Sequence, residues 1–480
     1  MSTAIVWFRQ DLRLADNPAL VAACAACDHV VALFIDDSGE AGAAGRTAAG
    51  IGAASRVWLH HSLVSLDASL DALGTTLVCR RGAALEVLES LAEETGATRL
   101  FWNRCHDPEA IRRDKAIKSA LEAFSPATSN ALLVFEPWEV LKKDGTPYKV
   151  YTPYWRAAAA MYDEAPERHR PLAAPAAIPG GELARSLEGA GDIDDLGLLP
   201  SLDWHAPLIA HWAVGEQAAG ERLDAFLERD VEAYDEARNL PGESGTSRLS
   251  PHLHHGEISP RQVLARCMEG RSLGELSDGE TTFAKEIFWR EFSYMMLYHF
   301  PDTIEEPLDR RFRDFPWRED ETALAAWQRG RTGVPIVDAG MRELYATGWM
   351  HNRVRMIVAS FLVKNLLLPW QAGEAWFRDT LVDADLASNT QGWQWTAGCG
   401  ADAAPFFRVF NPVLQGEKFD RAGDYVRRWV PELGDVGRKH VHQPWALDAD
   451  ARDALDYPEP LVDLKATRAR ALEAFATIKR

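Results

Sequence analysis

The chain has 480 residues, with a hydrophobic fraction of 47%, a charged fraction of 26% and a formal net charge of -19. This length and composition are those of a soluble globular protein of two or three domains, which excludes a membrane-embedded chain. The negative charge argues at first against a nucleic-acid partner, but residues 281–430 are nearly balanced in charge, which leaves room for a local basic surface.

The six cysteines are scattered along the chain, a usage typical of a reducing compartment. Cys24 and Cys27 form a single C-x-x-C in an alanine-rich helical pattern without the second pair that a zinc site needs, so we expect no metal. Charged residues at positions 9, 11 and 13 interrupt any signal peptide, and the longest apolar stretch, 356–363, is too short to cross a bilayer. We therefore expect a cytoplasmic protein without membrane contact.

Short apolar runs rich in β-branched residues predict strands at 4–8, 30–35, 76–79, 99–102 and 132–136. Helical patterns separate them, for example at 84–96 and 108–124. Strands alternating with helices predict a Rossmann-like, doubly wound parallel sheet. The first strand leads into RQDLRLADN, which lacks the glycine-rich G-x-G-x-x-G, so this domain should not bind a dinucleotide in the usual way.

The pattern changes after a stretch rich in Pro, Gly and Ala at 164–205, which is typical of a long surface connection. From Glu216 onward the patterns are helical, with start signals such as Ser259-Pro260. We assign 1–135 to an α/β domain, 136–205 to an interdomain linker and 206–480 to an all-α domain.

The helical half contains three segments whose residues could bind a polar ligand. GTSRLSP (245–251) offers hydroxyls, a guanidinium and a flexible glycine, which suit phosphate oxygens or simply a helix-capping loop. In KEIFWREF (285–292), Glu286, Trp289 and Arg290 share one helix face and suit a planar polar ligand; an exposed ion pair beside a half-buried tryptophan is the alternative.

The third segment is GWMHNRVRMIVASFL (348–362), where Asn352, Arg355 and Met356 share a face. Arg355 lies among apolar residues and needs a counter-ion if it is buried; Asp383 is the natural candidate, for a ligand site or for a purely structural salt bridge. Asp383 opens DADLASNTQGWQW (383–395), which places two carboxylates, an amide and two tryptophans within thirteen residues.

These segments, together with WFRQDLRLADNPAL (7–20) and FFRVFNPVLQGEKFD (406–420), resemble the photolyase and cryptochrome family in order and spacing. The resemblance covers essentially the whole chain and is to a bacterial class I cyclobutane pyrimidine dimer photolyase. Gln10 stands where arginine is common in the family, and Phe283 stands where several members have tryptophan. The resemblance implies an α/β antenna domain followed by a helical domain that buries FAD.

By position, the resemblance implies a set of FAD-binding residues. Asn389 would face the flavin N5, where an amide suits the fully reduced flavin that repair requires. The residues implied for the phosphate, ribose and isoalloxazine regions are Tyr234, Thr246, Ser247, Arg248, Leu249, Ser250, Asn352, Arg355, Asp383 and Asp385.

The resemblance also implies binding of DNA that contains a cyclobutane dimer. Glu286 would bond the base edges, Trp289 and Trp395 would stack on the flipped-out pair, and Met356 would pack against it. Relatives that repair (6-4) photoproducts carry histidine where this chain has Asn352 and Met356, which points to cyclobutane dimers. The residues implied for contacts with flanking phosphates are Arg238, Arg290, Arg353 and Arg408.

Trp393, Trp370 and Trp317 occupy the family positions of a tryptophan chain that rereduces the flavin under light, although core packing alone would also explain them. The antenna is less well defined, because Cys105 and His106 replace the usual pattern near Glu109. A folate such as methenyltetrahydrofolate, a deazaflavin and no antenna all remain open, with folate preferred.

Two other functions share some of these features. A cryptochrome photoreceptor would have the same fold and FAD, but such proteins often carry a long C-terminal extension, and this sequence ends at residue 480. A nicotinamide-dependent flavin reductase would need a glycine-rich site that the sequence lacks. We expect a monomeric, light-dependent DNA repair enzyme.

Overall fold

The computed structural model describes residues 1–37, 51–403 and 407–479. Its N-terminal part contains a five-stranded sheet of order β3-β2-β1-β4-β5, in which every neighbouring pair is parallel. The strands are β1 (Thr3–Phe8), β2 (His29–Asp36), β3 (Leu77–Arg81), β4 (Arg99–Asn103) and β5 (Ala127–Ser129). This order is that of a doubly wound sheet, so the predicted α/β fold is confirmed.

Helices cover both faces of the sheet and make up nearly all of the regular structure after it. In the first part of the chain they are α1 (Pro18–Ala26), α2 (Ala53–Ala72), α3 (Ala84–Thr95), α4 (Pro108–Ala120), α5 (Tyr151–Glu164), α6 (Gly181–Arg185) and α7 (His205–Ile209). In the second part they are α8 (Glu216–Arg229), α9 (Tyr234–Ala237), α10 (Ser250–His255), α11 (Pro260–Met268), α12 (Asp278–His299), α13 (Glu321–Gln328), α14 (Pro335–Thr347), α15 (Asn352–Ser360), α16 (Trp370–Thr380), α17 (Leu386–Ala397), α18 (Pro412–Phe419), α19 (Asp424–Trp429), α20 (Ala449–Asp453) and α21 (Leu464–Thr477).

Local sequence signals fix many of these helix ends as expected. Ser259 accepts a hydrogen bond from the backbone N of Gln262 and starts α11, with Pro260 as the first helical residue. Gly96 ends α3 in the left-handed conformation, at φ 65°. Among the described residues 206–479 there is no strand, so the predicted all-α half is confirmed.

The strand predicted at 132–136 is wrong, because the last strand of the sheet is Ala127–Ser129. The apolar run is buried, but a helix side chain binds its backbone donors. The N–H groups of Val134 and Phe135 both donate to Oε2 of Glu291 at 3.0 Å, while Arg290 donates to the Leu132 carbonyl at 2.8 Å. A buried backbone needs partners but not necessarily a neighbouring strand, and here α12 supplies them.

The loop that follows β1 joins the sheet domain to the helical half. Arg13 is buried and donates to the carbonyls of Gly256 and Ala131, both at 2.8 Å. Asp16 accepts from the Ser259 hydroxyl at 2.5 Å and from Nε of Arg261 at 3.0 Å. The position where many dinucleotide-binding domains hold a glycine-rich phosphate loop is therefore an interdomain contact in this protein.

The predicted interdomain linker, residues 136–205, is partly built into both domains. Ile178 and Ile193 pack on the sheet, and Tyr154 of α5 lies in the apolar core of the helical half. None of the helices in the described ranges has the length and apolar content that a bilayer crossing needs. The same ranges contain no cluster of His, Cys, Asp or Glu side chains suited to a metal ion.

Candidate functional site

Asp385 and Asp383 lie at the start of α17, where the sequence placed two carboxylates. Asp385 caps the helix by accepting from the backbone N of Ser388 at 2.7 Å, and the Tyr294 hydroxyl donates to its other oxygen. Burial alone would raise the pKa of Asp385, but the Arg290 charge and these hydrogen bonds hold it below its ordinary range. The cap therefore carries a fixed negative charge.

Asp383 forms the ion pair that the sequence suggested. Nη2 of Arg355 lies 3.0 Å and 2.7 Å from the two Asp383 oxygens, and Nε of Arg355 donates to the Met350 carbonyl at 2.7 Å. Asp383 is buried and Arg355 is partly exposed. The pair fixes the guanidinium at the first turn of α15. Because Arg355 is partly exposed, part of its guanidinium remains accessible to a ligand.

Asn389 lies one turn into α17, and its side chain has a defined orientation. Its Nδ2 donates to both the carbonyl and Oε1 of Glu374, each at 3.1 Å. With both N–H groups directed at α16, the amide oxygen is left as an acceptor. Glu374 is buried and was not identified from the sequence, since a carboxylate inside an amphipathic helix carries no distinctive signal.

The GTSRLSP loop precedes α10 and holds Arg248 in the left-handed region, at φ 52°. Its guanidinium lies between two indoles, 4.7 Å from the ring centroid of Trp212 and 4.5 Å from that of Trp349. Burial lowers the pKa of Arg248, and within the described ranges no carboxylate lies at ion-pair distance from it. Nε1 of Trp349 donates to the Ser250 hydroxyl at 3.2 Å, which ties the loop to the chain before α15.

The other predicted hydroxyls and aromatic groups lie around the same loop. Thr246 and Ser247 are half-buried, Ser250 is exposed and Leu249 is buried in the core of the helical half. Tyr234 is nearly buried in α9, and its ring lies 5.5 Å from the Arg238 guanidinium. A backbone held in an unfavourable conformation beside an uncompensated cation is typical of an anion-binding loop.

A second group of residues lies along the first part of α12. Oε1 of Glu286 binds Nη1 of Arg238 at 2.6 Å, and both side chains are about one-quarter exposed. Burial raises the pKa of Glu286, and Arg238 opposes that rise. Trp289 stacks face to face on Tyr151, with ring centroids 3.6 Å apart and planes at 9°.

Arg238 and its neighbour Asn239 connect this group to α15. Nη2 of Arg353 donates to the Asn239 side-chain oxygen, and Nη1 of Arg353 lies 3.6 Å from Sδ of Met356. Three segments that are distant in sequence are therefore joined by direct contacts. Arg408 is exposed, and its guanidinium lies 5.7 Å from the ring of half-buried Trp395.

Two predicted residues lie elsewhere. Arg290 points toward the interdomain segment, where its guanidinium bonds the Leu132 carbonyl and covers the Tyr294 ring at 4.8 Å. Glu109 lies in the first turn of α4 and pairs with Arg112 at 3.4 Å. Near it, buried His106 bonds Oε2 of Glu136 at 2.8 Å.

The predicted tryptophan chain runs through the main apolar core of the helical half. Trp370 and Trp393 are buried, and half-buried Trp317 packs against the same core. A Cβ on Gly373 would lie 2.1 Å from the Trp393 ring, so this glycine allows Trp393 to lie directly on α16. Trp327, which the sequence reading missed, lies edge-on to Trp393 at 6.1 Å.

Two protein-family models match this chain. The DNA photolyase model matches residues 4–176, and the model for the FAD binding domain of DNA photolyase matches residues 283–477. The second range contains α15, α17 and most of α12, and so most of the residues described above.

Several characterised proteins are similar over essentially the whole chain. The deoxyribodipyrimidine photo-lyase of Agrobacterium fabrum is 45% identical, covering 99% of this chain and 98% of that protein. The deoxyribodipyrimidine photo-lyase of Escherichia coli is 37% identical over the full length of both. Cryptochrome-1 of Arabidopsis thaliana is 39% identical, covering 98% of this chain and 70% of that protein.

The crystal structure of a bacterial class III photolyase from Agrobacterium tumefaciens superimposes with a TM-score of 0.92 at 45% identity, covering 100% of this chain and 98% of that one. That neighbour is described as class III, whereas the sequence analysis placed the resemblance with class I. The fold and the FAD-binding region agree with what the resemblance implied. The chain belongs to the photolyase and cryptochrome family, with an FAD-binding domain of the DNA photolyase type.

Proposed function

We propose that this protein repairs cyclobutane pyrimidine dimers in DNA by light-driven electron transfer from reduced FAD. The observation that carries the proposal is the set of contacts through Arg238 and Asn239. These contacts link Glu286 of α12, through Arg238 and its neighbour Asn239, to Arg353 and Met356 of α15. Trp289 lies one helical turn beyond Glu286. An acid, an indole face and a thioether on two helices linked in this way suit a paired, planar pyrimidine substrate, and the arginines suit its phosphates.

The residues of the helical half fit FAD. The half-buried Arg248 guanidinium lacks an ionic partner in the described part of the chain and would be compensated by the diphosphate. Arg355, fixed by Asp383, and the free oxygen of Asn389 suit the polar edge of an isoalloxazine ring. Asn389 would accept from an N5–H, a group that the oxidised flavin lacks.

In the proposed reaction the protein positions the reactants and stabilises charge. When bound, excited reduced FAD supplies the electron that opens the cyclobutane ring and takes it back afterwards, so no net oxidation occurs. Glu286 would bond a base edge of the dimer. Burial raises its pKa and the pair with Arg238 opposes that rise, so the carboxyl takes up a proton at a higher pH than an ordinary glutamate and can then donate to a carbonyl of the dimer. Trp289 offers one ring face for stacking, since Tyr151 covers the other.

The dimer must leave the DNA helix to reach this pocket. Photolyases as a class flip their target bases out of the duplex, so this step follows from membership of the family and not from any geometry of this chain. Arg238, Arg353 and Arg408 would contact the phosphates on either side of the lesion and make binding sensitive to salt. The net charge of -19 does not oppose this, because binding depends on the local potential at the pocket rim.

We also propose that Trp393, Trp370 and Trp317 carry electrons from the surface to the flavin. Their packing in one apolar core supports a water-free path that starts at half-buried Trp317. A folate or deazaflavin antenna remains a proposal that rests on the resemblance alone.

The second candidate function is a cryptochrome photoreceptor, favoured by the 39% identity with a plant cryptochrome. The chain covers 70% of that protein. The resemblance implies a carboxylate in plant cryptochromes at the position of Asn389, and the amide here supports repair instead.

A repair assay tests the proposal directly. Purified, photoreduced protein is mixed with oligonucleotides that carry one thymine cyclobutane dimer, one (6-4) photoproduct or no lesion, and base absorbance is followed under blue light and in the dark. We expect light-dependent recovery with the cyclobutane dimer alone. Recovery with the (6-4) substrate would correct the lesion class. No recovery despite bound reduced FAD would overturn the repair function and favour the photoreceptor.

A further inference from the structure

Tyr151 is the first residue of α5, in the segment that connects the two domains, and it covers one face of Trp289. At 3.6 Å between ring centroids and 9° between planes, the two rings are in full stacking contact. Tyr151 is 6% exposed, while Trp289 remains half-buried. The uncovered part of the indole is therefore the part that a ligand can reach.

Several contacts hold Tyr151 in place. Its hydroxyl donates to the Lys285 carbonyl at 2.6 Å, in the turn of α12 that immediately precedes Trp289. In an α-helix the backbone N–H of residue 289 bonds the carbonyl of residue 285, so the tyrosine is attached to the same carbonyl as the tryptophan backbone. Burial and the Glu286 carboxylate raise the pKa of Tyr151, which keeps its hydroxyl protonated as a donor.

The backbone of Tyr151 is fixed by a residue that lies 251 positions further along the chain. Its N–H donates to Oδ1 of Asp402 at 3.3 Å, and the Asp402 N–H donates to the Lys149 carbonyl at 3.0 Å. Asp402 has a positive φ of 56°, a conformation that few residues other than glycine adopt. Phe292 lies edge-on to both stacked rings at 5.8 Å, which completes a three-ring cluster.

We propose that Tyr151 is a positioning residue of the lesion pocket, which fixes the indole plane of Trp289 so that one face is presented to the flipped-out dimer. The inference rests on the proposed repair function and deepens it. A tryptophan on an exposed helix turn can adopt several rotamers, and ordering it on binding costs affinity. The stack with Tyr151 removes that cost before the lesion arrives, so its contribution should appear for damaged DNA only.

The test compares lesion binding by Tyr151→Leu, Tyr151→Phe, Trp289→Leu and the double variant Tyr151→Leu/Trp289→Leu. Dissociation constants are measured in the dark by fluorescence anisotropy, with dimer-containing and undamaged oligonucleotides. FAD content and near-ultraviolet circular dichroism are recorded for each protein. Tyr148→Leu is the matched control, because Tyr148 lies in the same segment but packs edge-on against Tyr154 and not on Trp289.

We expect Tyr151→Leu to weaken binding of the dimer by about 2- to 10-fold, with binding of undamaged DNA and FAD content unchanged. Tyr151→Phe keeps the stack and loses the bond to Lys285, so its loss should be about twofold. Since Tyr151 acts through Trp289, the double variant should bind the dimer no more weakly than Trp289→Leu alone.

Additive losses in the double variant, equal losses on both DNAs or an unchanged affinity in Tyr151→Leu would each overturn the positioning role. If Tyr151→Leu loses FAD or the near-ultraviolet spectrum of the folded protein, Tyr151→Phe becomes the deciding variant, because it keeps the buried ring. If the wild-type protein does not bind dimer-containing DNA more tightly than undamaged DNA, the proposed function itself is overturned. The wild-type affinities are therefore measured before any variant is compared.

Discussion

Tryptophans occupy two different environments in the helical half of this protein. Trp289 is half-buried, stacks on one tyrosine and stands beside the Glu286–Arg238 ion pair. Trp393 is 2% exposed and lies among apolar rings, 5.0 Å from Phe377 and 6.1 Å from Trp327. The first environment leaves a ring face open next to polar groups, and the second surrounds the ring and excludes water.

The difference indicates a division of tasks that residue type alone does not reveal. A ligand needs an accessible face and neighbours that can bond its polar edges, which the α12 side provides. An electron relay needs closely packed rings and a dry surrounding, in which little rearrangement accompanies the charge, and the core around Trp393 provides these. Variants on the two sides should therefore separate substrate binding from photoreduction.

The largest effect is expected for Trp289→Leu, which removes the stacking face on the α12 side. Base–aromatic stacking contributes about 1–3 kcal/mol per base, so affinity for a dimer-containing oligonucleotide should fall roughly 5- to 150-fold. Photoreduction of the bound flavin should be unchanged, because the Trp393 core is intact. Dark anisotropy titrations and the rate of flavin reduction under blue light measure the two effects. A fall in both would show that the two regions are not separable.

Trp393→Phe is the converse change, made inside the core. We expect photoreduction to slow by about tenfold or more, since phenylalanine fills the space but is much harder to oxidise than an indole; a tenfold change corresponds to about 1.4 kcal/mol in barrier. Repair by protein that was reduced chemically beforehand should be retained. Trp155→Phe is the control, because Trp155 packs in the other apolar core of the helical half. Unchanged photoreduction in Trp393→Phe would remove this residue from the relay.

The contacts within single helices were predictable from the sequence, because helical spacing places Glu286 and Trp289 on one face. The pair between Arg355 and Asp383 was also predictable, since a guanidinium in an apolar helix needs a counter-ion. Tyr151 was not predictable: it reaches Trp289 across 138 positions of chain, and no local pattern encodes such a contact.

The wrong strand prediction at the domain boundary has a physical cause. The apolar run 132–136 has the composition of a strand, but Glu291 and Arg290 of α12 bond its backbone, so the run needs no neighbouring strand. The family resemblance implied that Arg290 contacts DNA, a role that no helical spacing predicts. Which neighbour an arginine bonds is decided by tertiary packing, and the interdomain carbonyl of Leu132 is within its reach.

A smaller effect should appear in the pH dependence of the α12 side alone. The pKa of Glu286 is raised above that of an ordinary glutamate, so as pH rises above about 4.5 the carboxyl keeps its proton until the raised pKa is passed. Loss of that proton removes a donor to the dimer, at a cost of roughly 1 kcal/mol or about fivefold in affinity. Affinity should therefore fall with rising pH in wild type and stay level in Glu286→Gln, whose amide is always a donor. Parallel profiles in the two proteins would contradict this role of Glu286.

The smallest effect is expected for Arg353→Gln at the pocket rim. The charge of Arg353 is proposed to contact phosphates, and it acts on neither Trp289 nor Trp393. Counter-ion release predicts that the slope of log K against log salt falls by about 1 for one lost phosphate contact. Because phosphates carry no information about the lesion, the salt slope should fall by the same amount for damaged and undamaged oligonucleotides. Photoreduction should not change. Arg310→Gln is the control, since Arg310 pairs on the surface with Asp302 and Glu306. A slope change confined to damaged DNA would mean that Arg353 contacts the lesion itself. The lesion-binding surface would then include α15 as well as α12.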